Sequence, residues 1–340
     1  MKRGKKMKVR KIIAAVLAVA LLGCVLTACG ENKPDTSPVP DVTGSAAENT
    51  DYAIILKTLS NDFWAKMKTG IEEEAKKLGV KVDIFAAQNE EDTAGQLTIL
   101  ENCLAKKYKA IGVAPLSPTN LINGIVQANE SGIYVMNIDE KIDIDSLRNA
   151  GGSVIAFATT DNEAVGKKGA EFIINKLGES GGEVAIIEGK AGNASGESRK
   201  TGATNAFKAA DKIKLVASQP ADWDRQKALD TATGYLQMYP QLKAIYCCND
   251  TMALGALQAV INAGKLGKII IVGTDGSAEA LESVKAGQLD ATVAQDPAEI
   301  GATSLRKMVD AATNKPKIDP NATPQTIPVD SYIVTKENVK

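Results

Sequence analysis

The chain has 340 residues, of which 44% are hydrophobic and 24% are charged, and its formal net charge is −1. This size and composition predict a globular protein of one large or two ordinary domains and exclude a wholly disordered chain. Histidine is absent, which excludes catalysis by a Ser–His or Cys–His pair.

The first 28 residues predict a signal peptide. A basic start precedes the apolar run "IIAAVLAVALLGCVL", which is the order of an export signal and is short for a membrane span. The residues "LTAC" that follow resemble a bacterial lipobox, so we expect cleavage before Cys29 and a lipid anchor on its thiol. A secreted protein with a chance cysteine is the alternative. Without this segment the net charge is −8, which argues against nucleic acid as a partner.

Residues 29–50 are rich in Pro, Ser, Thr and Asn and predict a disordered tether. Short apolar runs then alternate with helical patterns, and "YAIILK", "VKVDIFAA", "AIGVAP" and "IYVMNID" predict strands. The alternation starts again with "SVIAFATT" and continues through "GEVAIIEG", "KLVASQ", "LKAIYCC", "GKIIIVGTD" and "LDATVAQ". These two β–α series predict two similar α/β domains. A single (β/α)₈ barrel is the alternative, which the restart and the excess of strands disfavour.

Three cysteines lie within the predicted fold: Cys103, Cys247 and Cys248. An odd number argues against a disulfide framework, and neighbouring strand residues point to opposite faces, so the adjacent pair does not form a spaced metal site. We expect buried thiols. Phosphate-binding, dinucleotide-binding and calcium-loop motifs are absent from the sequence, so we expect no cofactor and no metal.

Polar and aromatic residues follow the carboxyl ends of the predicted strands, where open α/β sheets bind ligands. The segments in chain order are "SNDFW", "DEK", "KAGNASGESRKTG", "PADWDRQ", "NDTMALG", "TDGS" and "QDP". Carboxylates and amides accept hydrogen bonds from hydroxyl groups, Lys and Arg donate them, and aromatic faces cover the C–H patches of a pyranose. One Asp at a strand end is often only a helix cap. Seven such segments together favour a sugar site.

Several long segments, including "LKTLSNDFWAKMKTGIEEEAKKLGVKVDIFA", "EGKAGNASGESRKTGAT" and "AIYCCNDTMALGA", resemble the type I periplasmic sugar-binding proteins of ABC importers, in their ribose/allose group. The resemblance extends from residue 51 to the end. It implies two doubly wound parallel-sheet α/β lobes joined by three hinge crossings, near Thr160, Gln295 and residue 322. The implied first lobe is 51–160 plus 296–322, and the implied second lobe is 161–295 plus 323–340.

The same resemblance implies the binding residues. In the first lobe they are Lys57, Asn61, Phe63, Trp64, Asp139 and Glu140; in the second lobe they are Arg199, Trp223, Asn249 and Asp275, with Gln295 at a crossing. Lys57, Trp64 and Trp223 favour the allose branch, because the ribose branch carries Ser, Phe and Phe there. The implied ligand is a monosaccharide held between aromatic faces from both lobes. D-allose is expected first, and D-ribose or galactose are the alternatives.

The implied protein is a non-enzymatic monomer that delivers the sugar to an ABC transporter permease. We expect it on the outer face of the bacterial cytoplasmic membrane, held by Cys29, or in the periplasm. A sugar-responsive regulator would need a DNA-binding helix-turn-helix where the export signal stands. A hydrolase could pair Asp139, Glu140 and Asp275, but such carboxylates are equally expected in a binding clamp.

Overall fold

A computed structural model describes residues 50–340. The expected signal peptide, Cys29 and nearly all of the expected tether lie outside the described residues. The first half of the described chain contains β1 (Tyr52–Leu56), α1 (Asp62–Leu78), β2 (Val82–Ala86), α2 (Thr93–Leu104), β3 (Ala110–Val113), α3 (Ile122–Glu130), β4 (Tyr134–Ile138), α4 (Ile144–Asn149) and β5 (Ala156–Thr160).

The second series follows β5 directly. It contains α5 (Asn162–Leu177), β6 (Gly182–Glu188), α6 (Ala194–Ala209), β7 (Ile213–Pro220), α7 (Arg225–Met238), β8 (Leu242–Cys247), α8 (Asp250–Asn262), β9 (Ile270–Asp275), α9 (Ala278–Lys285) and β10 (Ala291–Ala294). The chain ends with α10 (Pro297–Asn314), β11 (Gln325–Val329) and β12 (Tyr332–Thr335).

The strands form two six-stranded sheets, one in each lobe. Their orders are β11-β5-β4-β3-β1-β2 and β12-β10-β9-β8-β6-β7. All pairs are parallel except that of β10 with β12. In the first sheet β2 lies on one side of β1 and β3 on the other, and in the second sheet β7 and β8 flank β6 in the same way. The chain thus reverses its direction of winding beside β1 and beside β6, which is the switch point where doubly wound folds bind ligands. The fold therefore has the predicted two-lobed, doubly wound class.

The core explains why β1 is a continuous apolar run. All five of its residues are buried, and successive side chains alternate between the two faces of the sheet. Ile54 and Leu56 pack in one cluster with residues of α1 and α10, while Ala53 and Ile55 pack in another with residues of α2 and α3. Burial on both faces holds the strand in place and fixes where its carboxyl end projects.

The third passage between the lobes lies later than expected. Strand β11 pairs in parallel with β5 of the first sheet, whereas β12 pairs with β10 of the second. The chain therefore crosses between Val329 and Tyr332 and not near residue 322, so residues 325–329 belong to the first sheet. These two strands are absent from the sequence prediction. Pro328 weakens the strand signal of β11, and proline is tolerated there because the strand is at a sheet edge.

The three cysteines within the fold are buried and free, as predicted. Burial raises the pKa of Cys103 to about 11 and that of Cys248 to about 12. In residues 50–340 there is no helix whose length and apolar composition would let it cross a membrane. The same residues contain no cluster of His, Cys, Asp and Glu that could hold a metal ion.

Candidate functional site

A narrow cavity with a volume of about 40 Å³ lies at the carboxyl ends of the strands of both sheets. The lining residues are Lys57, Asn61, Phe63, Trp64, Glu90, Asp139, Asn193, Ser195, Arg199, Trp223, Asn249 and Asp275. Each follows or ends a parallel strand, so the fold alone brings them together.

Most of the predicted binding residues line this cavity, but two do not. Glu140 and Gln295 lie behind the lining, where they bond to the lining residues Lys57 and Asp275. Neither residue is among those that line the cavity, and their role as ligand contacts stays a prediction. The prediction omitted Glu90, Asn193 and Ser195. Glu90 follows the carboxyl end of β2, and the other two lie within the segment "KAGNASGES", so the strand-end rule could have found them.

The start of α1 places two aromatic rings at the cavity. Asn61 caps the helix, and its Oδ1 accepts a hydrogen bond from the Phe63 N–H at 2.9 Å. Phe63 and Trp64 therefore occupy the first turn, where their ring centroids are 5.1 Å apart in an edge-to-face arrangement. The Trp64 indole N–H donates to Glu90 Oε1 at 3.3 Å. These two bonds fix the position of the indole. The segment that caps α1 therefore also lines the cavity.

Lys57 brings a buried positive charge to the first-lobe side of the cavity. Its Nζ donates to Glu140 Oε2 at 3.0 Å and lies 5.7 Å from the centroid of the Trp64 ring. Burial lowers the pKa of Lys57, but the carboxylates of Glu140 and Glu90 outweigh burial, and the net shift is upward. Lys57 is therefore a charged donor that is largely withdrawn from water.

Asp139 faces the cavity in a strained backbone conformation. Its φ is 57°, which is costly for a residue other than glycine and is typical of functional sites. The Thr159 hydroxyl holds the turn by donating to the Asp139 carbonyl at 2.8 Å. Burial, and then the charge of Glu140, raise the pKa of Asp139 to about 7. Within the described residues, Asp139 Oδ1 is buried without a hydrogen-bond partner, so it is an acceptor that a ligand hydroxyl would satisfy.

Arg199 is the positive charge of the second lobe, and its bonds lie within that lobe. Its Nε donates to Asn162 Oδ1, and one terminal nitrogen donates to the Cys248 carbonyl, both at 2.8 Å. The same terminal nitrogen is 3.3 Å from Asp275 Oδ1, which also accepts from Gln295 Nε2 at 2.7 Å. Burial raises the pKa of Asp275 to about 6, although Arg199 opposes the shift. The guanidinium is held rigidly.

Trp223 lies below Arg199, with the guanidinium carbon 5.9 Å from its ring centroid. Its φ is 65°, a second strained non-glycine residue at the cavity. Two glycines make room for the indole: a Cβ at Gly189 would lie 2.0 Å from the ring, and one at Gly196 would lie 3.0 Å from it. The aromatic platform therefore depends on these two missing side chains.

Several hydrogen bonds join the lobes around the cavity. Lys190 Nζ donates to the Glu90 carbonyl at 2.6 Å, and Lys66 Nζ donates to the Gly276 carbonyl at 3.0 Å. With both lobes in contact, the cavity presents two indoles, each beneath a cation, together with buried carboxylates and amides. Such a set matches a small ring that carries several hydroxyl groups.

Residues 52–316 match the family described as "Periplasmic binding protein domain". The D-allose-binding periplasmic protein of Escherichia coli (strain K12) is 61% identical over 292 residues, which are 86% of this chain and 94% of that protein. The ribose import binding protein of Bacillus subtilis (strain 168) is 36% identical over 292 residues, with coverage of 86% and 90%.

A solved structure gives the same picture of the fold. An ABC transporter periplasmic solute binding protein from Actinobacillus succinogenes 130z, with bound D-allose, superposes with a TM-score of 0.79 at 33% identity. The superposition covers 85% of this chain and 99% of that one.

Proposed function

The chain belongs to the periplasmic binding protein domain family, and from this premise we propose that it captures a monosaccharide, with D-allose preferred, for an ABC sugar importer. The observation that supports this proposal most strongly is the set of residues that line the cavity. Each lobe contributes an indole beneath a cation and a buried carboxylate, Asp139 from one side and Asp275 from the other. The similarity to a D-allose-binding protein supports the choice of sugar.

The chemistry of selection follows from burial. Asp139 Oδ1 and Asn193 Nδ2 are buried without hydrogen-bond partners within the described part of the chain. A bound sugar that lacks a hydroxyl at either position leaves the atom unpaired, at a cost of about 1–3 kcal/mol. Lys57 and Arg199 donate to ring or hydroxyl oxygens, and the indoles cover apolar C–H groups. Stereochemistry is therefore selected by where these fixed polar atoms point.

Isothermal titration calorimetry with D-allose, D-ribose, D-galactose and myo-inositol tests this proposal. We expect the tightest binding with D-allose and a loss of about tenfold or more for each competitor, since each leaves at least one polar atom of the site unmatched. An Asp143→Ala variant serves as the control, because Asp143 caps α4 and is not one of the residues that line the cavity. Tight binding of D-ribose with no heat from D-allose would contradict the choice of sugar.

We further propose that Cys29 carries a lipid anchor and that the loaded monomer presents its sugar to a membrane permease. The support for the anchor is the "LTAC" segment after the apolar run. Fractionation of cells that express the chain and its Cys29→Ser variant tests the anchor. We expect only the unsubstituted protein to remain with membranes, and equal partition of both would contradict the proposal. Size-exclusion chromatography with light scattering tests the monomer.

A further inference from the structure

Helix α6 begins without a side-chain cap of its own. Most other described helices have an N-cap side chain that accepts a hydrogen bond from a first-turn N–H, as Asn61 does in α1 and Asn249 does in α8. The N-cap residue of α6, Asn193, is of a suitable type but makes no such bond. A buried helix start needs some acceptor for its free N–H groups.

The missing acceptor comes from the other lobe. Glu140 Oε1 accepts a hydrogen bond from the Ser195 N–H at 3.0 Å, and Glu140 Oε2 accepts from the Ser195 hydroxyl at 2.9 Å. Glu140 has no exposed surface. A carboxylate at this place also interacts favourably with the positive end of the helix dipole. We call these contacts the cross-lobe cap.

The cross-lobe cap releases Asn193 toward the cavity. Asn193 Oδ1 lies within bonding distance of Lys57 Nζ, at 3.4 Å, and of the Ser195 hydroxyl, at 3.1 Å. Its Nδ2 is buried and has no hydrogen-bond partner within residues 50–340. A self-capping Asn193 would instead direct its Oδ1 to the helix. The cavity thus gains a fixed amide donor because Glu140 performs the capping.

The cross-lobe cap also orients Lys57. An ammonium group has three N–H donors. One is directed to Glu140 Oε2 at 3.0 Å and a second to Asn193 Oδ1 at 3.4 Å. The third makes no hydrogen bond to the described residues, with Glu90 Oε2 at 3.8 Å from Nζ, and can be donated to a ligand. Since these two acceptors come from different lobes, the direction of the remaining donor is defined only while the lobes are in contact.

We propose that Glu140 is a positioning residue that caps α6 across the cleft and so couples the aim of Lys57 and Asn193 to lobe closure. The proposal rests on the proposed sugar-binding function, and it identifies which residues of that site depend on lobe closure. Glu140 does not line the cavity, so its effect on affinity passes through its partners. When the lobes separate, α6 loses its acceptor and Glu140 regains water.

A double-mutant cycle tests the coupling. Calorimetry with D-allose is carried out on the unsubstituted protein, Glu140→Gln, Ser195→Ala and the double variant. We expect Glu140→Gln to weaken binding about 10- to 100-fold and Ser195→Ala to weaken it about 3- to 10-fold. The double variant should resemble Glu140→Gln within about twofold, because both substitutions remove one shared interaction. Effects that multiply would overturn the proposal.

A distance measurement without sugar separates this proposal from the sugar assignment. Spin labels at Glu101→Cys and Gln258→Cys report on the two lobes, since both positions are exposed and the three natural cysteines within residues 50–340 are buried. We expect Glu140→Gln to depopulate the interlobe distance defined by the structure, whereas Asp143→Ala, the loss of a cap within one lobe, should leave it unchanged. Identical distributions for Glu140→Gln and the unsubstituted background would overturn the cross-lobe cap. Absence of binding to every tested sugar by the unsubstituted protein would instead refute the proposed function.

Discussion

The two halves of the cavity differ in how they are held. In the second-lobe half, Arg199 is fixed by Asn162 and the Cys248 carbonyl, both of its own lobe. In the first-lobe half, Lys57 and Glu140 bond to Asn193 and Ser195 of the other lobe. The region around Arg199 in the second lobe is therefore preorganised, whereas the region around Lys57, together with Asn193 of the second lobe, is completed by closure. Preorganisation lowers the entropic cost of binding, and completion on closure makes capture depend on lobe contact.

The largest expected effect is a difference in stability between variants of the two buried cations, Arg199 and Lys57. Arg199→Ala leaves Asp275 buried without its cation, and we expect the free energy of unfolding to fall by about 3–5 kcal/mol, with no detectable sugar binding. Lys57→Ala should also abolish binding but cost less stability, because opening of the cleft lets Glu140 regain water. Chemical denaturation with calorimetry measures both quantities. Equal losses of stability in the two variants would contradict the difference in how Arg199 and Lys57 are held.

Asp139→Asn should make the protein more stable and weaken its binding of sugar. Removing a carboxylate whose ionisation is disfavoured by burial should raise the free energy of unfolding at pH 7 by up to about 4 kcal/mol. Sugar binding should weaken at the same time, because the amide replaces one acceptor oxygen with a donor. Denaturant titration and calorimetry test the two effects. A variant that loses both stability and affinity would show that Asp139 has a structural role.

The pH dependence provides a separate check on Asp139. Its folded pKa is about 7 and the ordinary value for Asp is 3.8, so between these values the folded state retains a proton that the unfolded state has lost. This group therefore makes the protein less stable as pH rises from about 4 to 7. The stability difference between Asp139→Asn and the unsubstituted protein should grow over that window. A difference that is constant with pH would contradict the upward shift.

A smaller effect is expected from Gly189→Ala, which tests the preorganised half. The added methyl would overlap the Trp223 ring, and such overpacking costs about 1–3 kcal/mol. We expect a tilted indole and affinity weakened by about tenfold or more. Gly234→Ala is the matched control. A Cβ at this position of α7 would lie 3.9 Å from the Met238 side chain, which is ordinary contact, and helices prefer Ala to Gly. Unchanged affinity in Gly189→Ala would show that the platform is adaptable.

The sequence was sufficient for the alternation of strands and helices and for the place of the site, because parallel strands project their carboxyl ends to one edge. It placed the segments that contain Asp139 and Arg199 at this edge for this reason, and the family resemblance selected these two residues within them. It could not distinguish Glu140, which follows Asp139 directly, as a residue behind the lining. That distinction depends on the turn at Asp139 with φ of 57° and on the meeting of two lobes remote in sequence.

Edge strands limited the sequence prediction in a different way. Strand β11 is short, contains Pro328 and is partly exposed, so it lacks the apolar run that marked β1. Its pairing with β5 is set by the return of the chain along α10 rather than by local propensity. The late crossing therefore follows from tertiary pairing.

The most direct test uses the chain's two tryptophans, one in each half of the cavity. Trp64→Phe leaves only Trp223, and Trp223→Phe leaves only Trp64, so each variant reports on one half. On titration with D-allose, both single-tryptophan proteins should change their emission, each with a midpoint that matches the calorimetric affinity of that variant. An emission spectrum that does not change in either variant, while calorimetry shows binding, would contradict a sugar held between the two halves.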